Sequence, residues 1–275
     1  MTSKNIAIIG CGWLGTTFGE YMSQKEYEVK GSTTTEEKLT LLSQKGINSF
    51  LLDIDTSELT DWQSFLDVDV CLILLPPKRD IDGANVYKKR LEKLHEIISS
   101  SSVNKVILVS STSVYPDNQK EVDESCTDFS PSPNGEALRT IEQLYLQTDK
   151  LDTTVLRFSG LIGGDRVPKY SLKKGRFHKI WNAPMNAVHR DDCIQVMEEI
   201  IKQDVWNEIF NVCAPEHPIR KDYYTEGAKA AGLPLPEVPD ATDNPPYKIV
   251  NSDKVVNRLG IKWKYPNPMA VATQQ

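Results

Sequence analysis

Two rhythms of apolar residues alternate along the first 160 positions. Short apolar runs of strand length occupy 5–9, 28–32, 47–52, 68–75, 106–109 and 153–156. Between them lie longer segments, at 13–24, 36–44, 86–99 and 136–148, that bear apolar residues every third or fourth position. Leu91, Leu94 and Ile98 make one such stripe, and Leu138, Ile141 and Leu144 another. The first rhythm predicts strands and the second amphipathic helices. The run at 68–75 is almost unbroken, as in a strand covered on both faces, and Pro76-Pro77 ends it.

Strand and helix in regular alternation predict an α/β fold with a doubly wound parallel sheet. Beyond Gly160 the pattern weakens at Gly163-Gly164, at a basic loop holding Arg166, Lys173, Lys174 and Arg176, and at Pro184. A helix at 191–202 and a strand at 209–212 read as a return to the main sheet. Short helices are expected at 222–231 and 253–259 within a proline-rich tail. The division is therefore a nucleotide-binding domain at 1–160 and a small C-terminal substrate lobe at 161–275, with a segment near 186–212 returning to the sheet.

Gly10, Gly12 and Gly15 stand as G-C-G-W-L-G between the first strand and the first helix. In that context the glycines allow a tight turn, an unobstructed approach of a pyrophosphate and close helix packing, which is the Rossmann dinucleotide signature. The helix start, Trp13 and Leu14 included, offers amide donors and a positive dipole end to phosphate. A flavin nucleotide uses the same turn and stays open as an alternative. At the end of the second strand, where NAD proteins place an acid for the ribose hydroxyls, the chain has Gly31-Ser32-Thr33-Thr34. Hydroxyls there accept a 2′-phosphate without repelling it, and Lys38 follows one helical turn later. The reading leans to NADP, with NAD as the alternative. Thr34 and Glu37 also fit a helix capping box, and Glu36 or Glu37 could reach a ribose. Asp53 stands where an adenine is approached, and Leu75-Pro76 closes the fourth strand at the ligand edge of the sheet. Ser110, Ser111, Thr112 and Ser113 form a hydroxyl-rich turn after the fifth strand, with Tyr115 close behind. Arg157 follows the sixth strand.

The stretches G-C-G-W-L-G at Gly10, V-S-S-T-S-V-Y-P from Val109, L-R-F-S-G-L-I-G from Leu156, V-H-R-D-D from Val188 and R-L-G from Arg258 come in a telling order. Together they resemble an atypical extended short-chain dehydrogenase/reductase, of the NAD-dependent epimerase/dehydratase superfamily. The resemblance implies that Ser111 polarises a substrate oxygen. It implies that Ser110 and Arg157 line the cofactor, and that the V-H-R-D-D aspartates cap a helix or fix loops. It also implies a proton-transferring Tyr with a Lys four residues later, because a tyrosine near pKa 10 is a poor base until a cation stabilises its phenolate. Those two positions fall near Asn134 and Leu138, and neither residue has the required chemistry. Tyr115 is the nearest phenol that could substitute. Tyr170 with Lys174 has the right spacing in the wrong place, and His189 is a further candidate.

Composition narrows the partners. The chain has 275 residues, 39% of them hydrophobic, and a net charge of −6, which argues against a nucleic-acid surface. No apolar run reaches the roughly 18 residues needed to span a membrane. The cysteines Cys11, Cys71, Cys126, Cys193 and Cys213 are odd in number and lack metal-ligand spacing, so free thiols in the cytoplasm and no metal are expected. The expected partner is a small polar or sugar-like substrate, handled by a monomer or homodimer. Two functions are carried forward: an NAD(P)-dependent oxidoreductase, epimerase or dehydratase, with Ser111 and Tyr115 as its catalytic candidates, and a non-catalytic NAD(P)-binding sensor or scaffold.

Overall fold

The computed structural model describes residues 4–76, 83–173, 180–235 and 244–274. The elements run β1 (Asn5–Ile9), α1 (Trp13–Ser23), β2 (Glu28–Thr33), α2 (Glu37–Gln44), β3 (Asn48–Leu51), α3 (Leu59–Phe65), β4 (Val70–Ile73), α4 (Gly83–Ser99) and β5 (Lys105–Ser111). After a single 3-10 turn come β6 (Glu121–Val122), α5 (Pro133–Leu146), β7 (Asp152–Phe158), β8 (Gly160–Ile162), α6 (Pro168–Lys173), β9 (Ala187–His189) and α7 (Arg190–Gln203). The chain finishes with β10 (Ile209–Val212), α8 (Arg220–Ala230), β11 (Ile249–Val250), α9 (Asp253–Leu259) and α10 (Met269–Ala272).

Seven strands form one sheet in the order β10-β7-β5-β4-β1-β2-β3. The ladders from β3 across to β5 are parallel, with Ile6 opposite both Val29 and Val70. The hydrogen bonds from Val155 to Glu208 and from Ser159 to Val212 advance in step, so β10 runs parallel too. The fold is thus α/β and doubly wound, as the alternation predicts. Strand order reverses between β1 and β4, and in open sheets of this kind ligands settle at that switch point, off the carboxyl ends of the strands.

Local chemistry accounts for the elements. The middle strands are buried on both faces, with Ile6, Ala7, Ile8, Cys71, Leu72 and Ile73 all at 0% exposure, which fits their unbroken apolar runs. On α4, Tyr87, Leu91, Leu94 and Ile98 form the buried stripe, each worth about 1.5–3 kcal/mol for a large apolar side chain taken out of water. Helix α5 starts at Pro133, where proline lacks only an amide that the first turn cannot use, and the Ser132 hydroxyl caps it by accepting from the Gly135 amide at 3.1 Å. Helix α9 ends on Gly260 at φ +68°, a left-handed conformation that glycine adopts without cost.

The chain divides into two compact units. One comprises 1–110, 131–156 and 200–209, and the other 111–130, 157–199 and 210–275. The second holds two small parallel pairs, β6 with β11 and β8 with β9. Its own core gathers Ile162, Val167, Met185, Ala187, Tyr223, Val271 and Ala272. Helix α3 has no counterpart in the pattern above, because its seven residues carry Leu59, Trp62 and Phe65 over only two turns. The usable signal was the reciprocal cap at its start, where Glu58 and Asp61 accept each other's backbone amides.

Candidate functional site

The glycine turn behaves as three different glycines. Gly10 has φ +99°, and a Cβ there would stand 2.9 Å from the Leu74 carbonyl oxygen. A Cβ on Gly15 would strike the Gly10 carbonyl oxygen, so helix and turn touch backbone to backbone. Gly12 is exposed, and a Cβ on it would meet nothing within 4 Å. The space before Gly12 is therefore open, at the mouth of α1, whose first-turn amides point away from the helix body. Leu14 is buried behind the turn and Trp13 is half-buried at its rim. The turn is tied to the end of β2: Cys11 donates its amide to the Ser32 carbonyl at 3.0 Å, and the Gly10 amide donates to Ser32 Oγ at 3.3 Å.

From this turn a groove of about 610 Å³ extends past Ser32, Thr33, Thr34, Thr35 and Lys38, with Leu52, Ile54, Trp62 and Leu75 as apolar walls and Arg90 at its side. Among the described residues no carboxylate lines it. Thr34 is exposed and does not cap α2, whose N-cap is Glu36 and carries no side-chain bond. The capping-box alternative is therefore not formed. The Thr33 hydroxyl instead accepts the Thr35 amide at 3.2 Å, which sets the curve of the loop. Neither Glu36 nor Glu37 is part of the lining.

Asp53 is not part of the lining, although its neighbours Leu52 and Ile54 are. It accepts from Arg90 at 3.2 Å and from the Asp55 amide at 2.9 Å, while Arg90 Nε lies 3.1 Å from Asp55. The two aspartates thus anchor a guanidinium that faces the groove. Nothing in the sequence marks Arg90 as part of a site, because its partners lie 35 to 37 residues away. Leu75 also lines a second, smaller slot of about 360 Å³ with Pro76, Tyr87 and Arg90.

Ser110, at the end of β5, is 7% exposed and donates to the buried Glu142 carboxylate at 2.5 Å. Its hydroxyl is engaged in this internal bond. On α5, Asn134 is half-buried in the first turn and Leu138 is packed in the core.

The remaining candidates lie in the second unit. Ser111 is half-exposed, accepts the Ser113 amide at 3.2 Å and shares a 2.6 Å hydroxyl contact with Ser113. Tyr115 is 1% exposed. Its hydroxyl accepts from Arg157 Nη1 at 2.6 Å and donates to Asn211 Oδ1 at 3.0 Å. Burial pushes the Tyr115 pKa up, against the lowering influence of Arg157 and Asn211. Tyr115 is thus packed in the core, with its hydroxyl bonded on both sides. Arg157, itself 3% exposed, also stacks over Phe129, so its guanidinium is turned inward. Glu124 extends this buried chain by accepting the Asn211 amide at 2.5 Å. Lys248 donates to the Tyr115 carbonyl at 2.9 Å and to Asp117 at 2.8 Å.

The V-H-R-D-D segment does structural work. Asp192 accepts the amides of Lys264 and Tyr265 at 2.8 and 3.2 Å. His189 accepts the Asp191 amide at 3.1 Å and lies against the Tyr265 ring, 3.6 Å between centroids. A Cβ on Gly163 would run into the His189 ring, so the glycine is what lets the imidazole lie there. Tyr170 is 41% exposed, and Lys174 and Arg176 lie outside the described residues. Among the described residues, no three His, Cys, Asp or Glu side chains converge as a metal site, and no helix is long and apolar enough to cross a membrane. All five cysteines are free, and Cys71 and Cys213 are core residues.

No protein-family model matches the chain. Protein YeeZ of Escherichia coli K12 is 30% identical over 276 residues, covering 98% of both chains. Three solved structures share the fold at low identity. A conserved protein of unknown function from Silicibacter pomeroyi is 22% identical, with a TM-score of 0.76 over 98% of this chain and 97% of that one. A short-chain dehydrogenase/reductase superfamily protein from Agrobacterium tumefaciens with bound NAD is 16% identical, with a TM-score of 0.79 over 98% and 94%. UDP-glucuronic acid 4-epimerase from Bacillus cereus, in complex with UDP-glucuronic acid and NAD, is 17% identical, with a TM-score of 0.79 over 98% and 96%. The chain therefore belongs to the family of Protein YeeZ, and it shares its fold with the short-chain dehydrogenase/reductase superfamily protein and the UDP-glucuronic acid 4-epimerase.

Proposed function

We propose that the chain binds NADP in the groove of its first unit and acts as a cytoplasmic NAD(P)-dependent oxidoreductase, epimerase or dehydratase on a small polar or sugar-like substrate. The observation that carries the cofactor is the open space before Gly12, continuous with a lining of four hydroxyl residues and Lys38. Solved relatives of the same fold contain NAD, and two of them are a nucleotide-sugar epimerase and a dehydrogenase/reductase superfamily protein.

Gly10, Gly12 and Gly15 would hold the pyrophosphate against the α1 mouth. Thr33, Thr34 and Lys38 would surround a 2′-phosphate, and the described lining holds no carboxylate to repel it. Leu52, Ile54 and Leu75 would enclose the adenine, beside the guanidinium of Arg90. The nicotinamide supplies hydride transfer when bound, and the protein's part is to orient it and keep water away. Ser111, the half-exposed hydroxyl at the last position of β5, would polarise the reacting oxygen. The family's Tyr and Lys positions hold Asn134 and Leu138, so the proton would pass through another group or through water.

A second reading is favoured by one observation. The nearest phenol, Tyr115, has its hydroxyl committed to Arg157 and Asn211. With no proton-transfer pair, the chain would bind NADP as a sensor or scaffold. Titration with NADPH and NADH, followed by incubation of the NADPH complex with nucleotide-sugars and small carbonyl compounds, decides the matter. We expect NADPH to bind about tenfold or more tightly than NADH, a preference of about 1.4 kcal/mol, and reduced cofactor to be consumed with at least one substrate. Tight binding with no turnover selects the second reading. Failure to bind either nucleotide overturns both.

A further inference from the structure

The second unit contains a guanidinium that the protein does not use. Arg220 opens α8, and its Nη1 is shut off from solvent with no hydrogen-bond partner. No carboxylate among the described residues forms an ion pair with it. Desolvating such a group without an acceptor is costly, and native proteins rarely leave one so. Burial lowers the Arg220 pKa, while Asp117 and Tyr224 act in the opposite direction.

The surroundings are built. Tyr223 and Tyr224 follow three and four residues later and so share the helix face of Arg220. The Tyr224 ring meets the Trp181 ring edge-on at 5.5 Å and the Tyr223 ring at 5.5 Å. The Tyr223 hydroxyl is also buried without a partner. Lys248, only 10% exposed at its side chain, holds Asp117 at 2.8 Å. Among the described residues, the carboxylate that acts on Arg220 is Asp117, and Lys248 already holds it.

We propose that Arg220, whose buried Nη1 lacks an acceptor and which shares its face of α8 with Tyr223 and Tyr224, is the binding site for an oxyanion, a carboxylate or a phosphate. A guanidinium fork matches such a group through two parallel hydrogen bonds. The anion supplies the acceptor that Nη1 lacks. Assigning the anion to the substrate rests on the enzyme reading above and makes that substrate acidic. The anion site itself stands without it.

The test is nitrogen–proton NMR of the arginine Nε–Hε groups in the full chain, with the Arg220 signal identified by its loss in Arg220→Lys. Inorganic phosphate and malonate are titrated separately in saturating NADP, so that the glycine turn is already filled. We expect the Arg220 signal to shift saturably with at least one anion, and calorimetric affinity for that anion to fall at least tenfold in Arg220→Gln. A response to phosphate alone selects a phosphoryl ligand, and a response to malonate alone a carboxylate. If Arg220 moves with neither, or moves only linearly as the exposed Arg139 does, the proposal is overturned. Should Arg220→Gln melt early, the wild-type titration decides by itself. If NADP fails to bind while the Arg220 signal still saturates, the cofactor reading falls and the anion site remains.

Discussion

Arg157 donates a 2.6 Å hydrogen bond to the hydroxyl of Tyr115, with both residues buried. The sequence presents them as separate candidates for catalysis and cofactor binding, 42 residues apart. Together they are one polar link within the core, closed by Asn211.

Tyr115→Phe tests that link. It leaves the Arg157 donor and the Asn211 acceptor buried without their partner, which costs about 1–3 kcal/mol. The urea midpoint should fall accordingly, while NADPH affinity stays within twofold of wild type. A variant of full stability whose turnover is abolished would restore Tyr115 to the chemistry.

Two glycine substitutions should separate binding from folding. Gly12→Asp adds bulk and negative charge in open space, at φ −87° and ψ −151°, a conformation any residue adopts. It should fold normally and lose NADPH binding by at least about a hundredfold, or 2.7 kcal/mol. Gly15→Ala drives a methyl into the Gly10 carbonyl and should instead lower the melting temperature. Calorimetric titration and thermal melts of both variants check the contrast.

Lys38→Glu should invert cofactor choice. The exposed ammonium borders the hydroxyl-lined groove, and a carboxylate there repels a 2′-phosphate while offering the ribose hydroxyls an acceptor. We expect the NADPH-to-NADH affinity ratio to drop by about tenfold, about 1.4 kcal/mol. The drop should shrink at high salt, because the site is solvent-exposed. An unchanged ratio would move the specificity elsewhere.

Acid should weaken the second unit through its histidines. Burial lowers the pKa of His189 and His217 below the ordinary 6.5; at His189 the desolvation, helped by Arg190 and Lys264, outweighs the opposing pull of Asp191. The unfolded chain then binds protons that the folded chain refuses. Stability is full above pH 6.5 and declines as pH falls from there toward the lowered values. Asp192 and Glu124 have the opposite sign, since burial raises both and protonation relieves them. The melting temperature should therefore fall between pH 7.5 and 5.5. A flat profile over that interval would show that the imidazoles are protonated in the fold.

Much of this protein is legible one-dimensionally. The strand and helix periods, the G-C-G-W-L-G turn and the acid-free end of β2 arise from contacts a few residues apart, and local sequence encodes them. Tertiary structure alone decided the rest. It set Asp53 and Asp55 around Arg90, joined Ser110 to Glu142 and Tyr115 to Arg157, and left the Arg220 guanidinium without an acceptor. Each of those outcomes depends on which distant side chains are brought within 3 Å of one another in a desolvated place. Spacing along the chain carries no record of that, so a serine, a tyrosine or an arginine that looks poised for chemistry is told from a core residue only once its partners have been found.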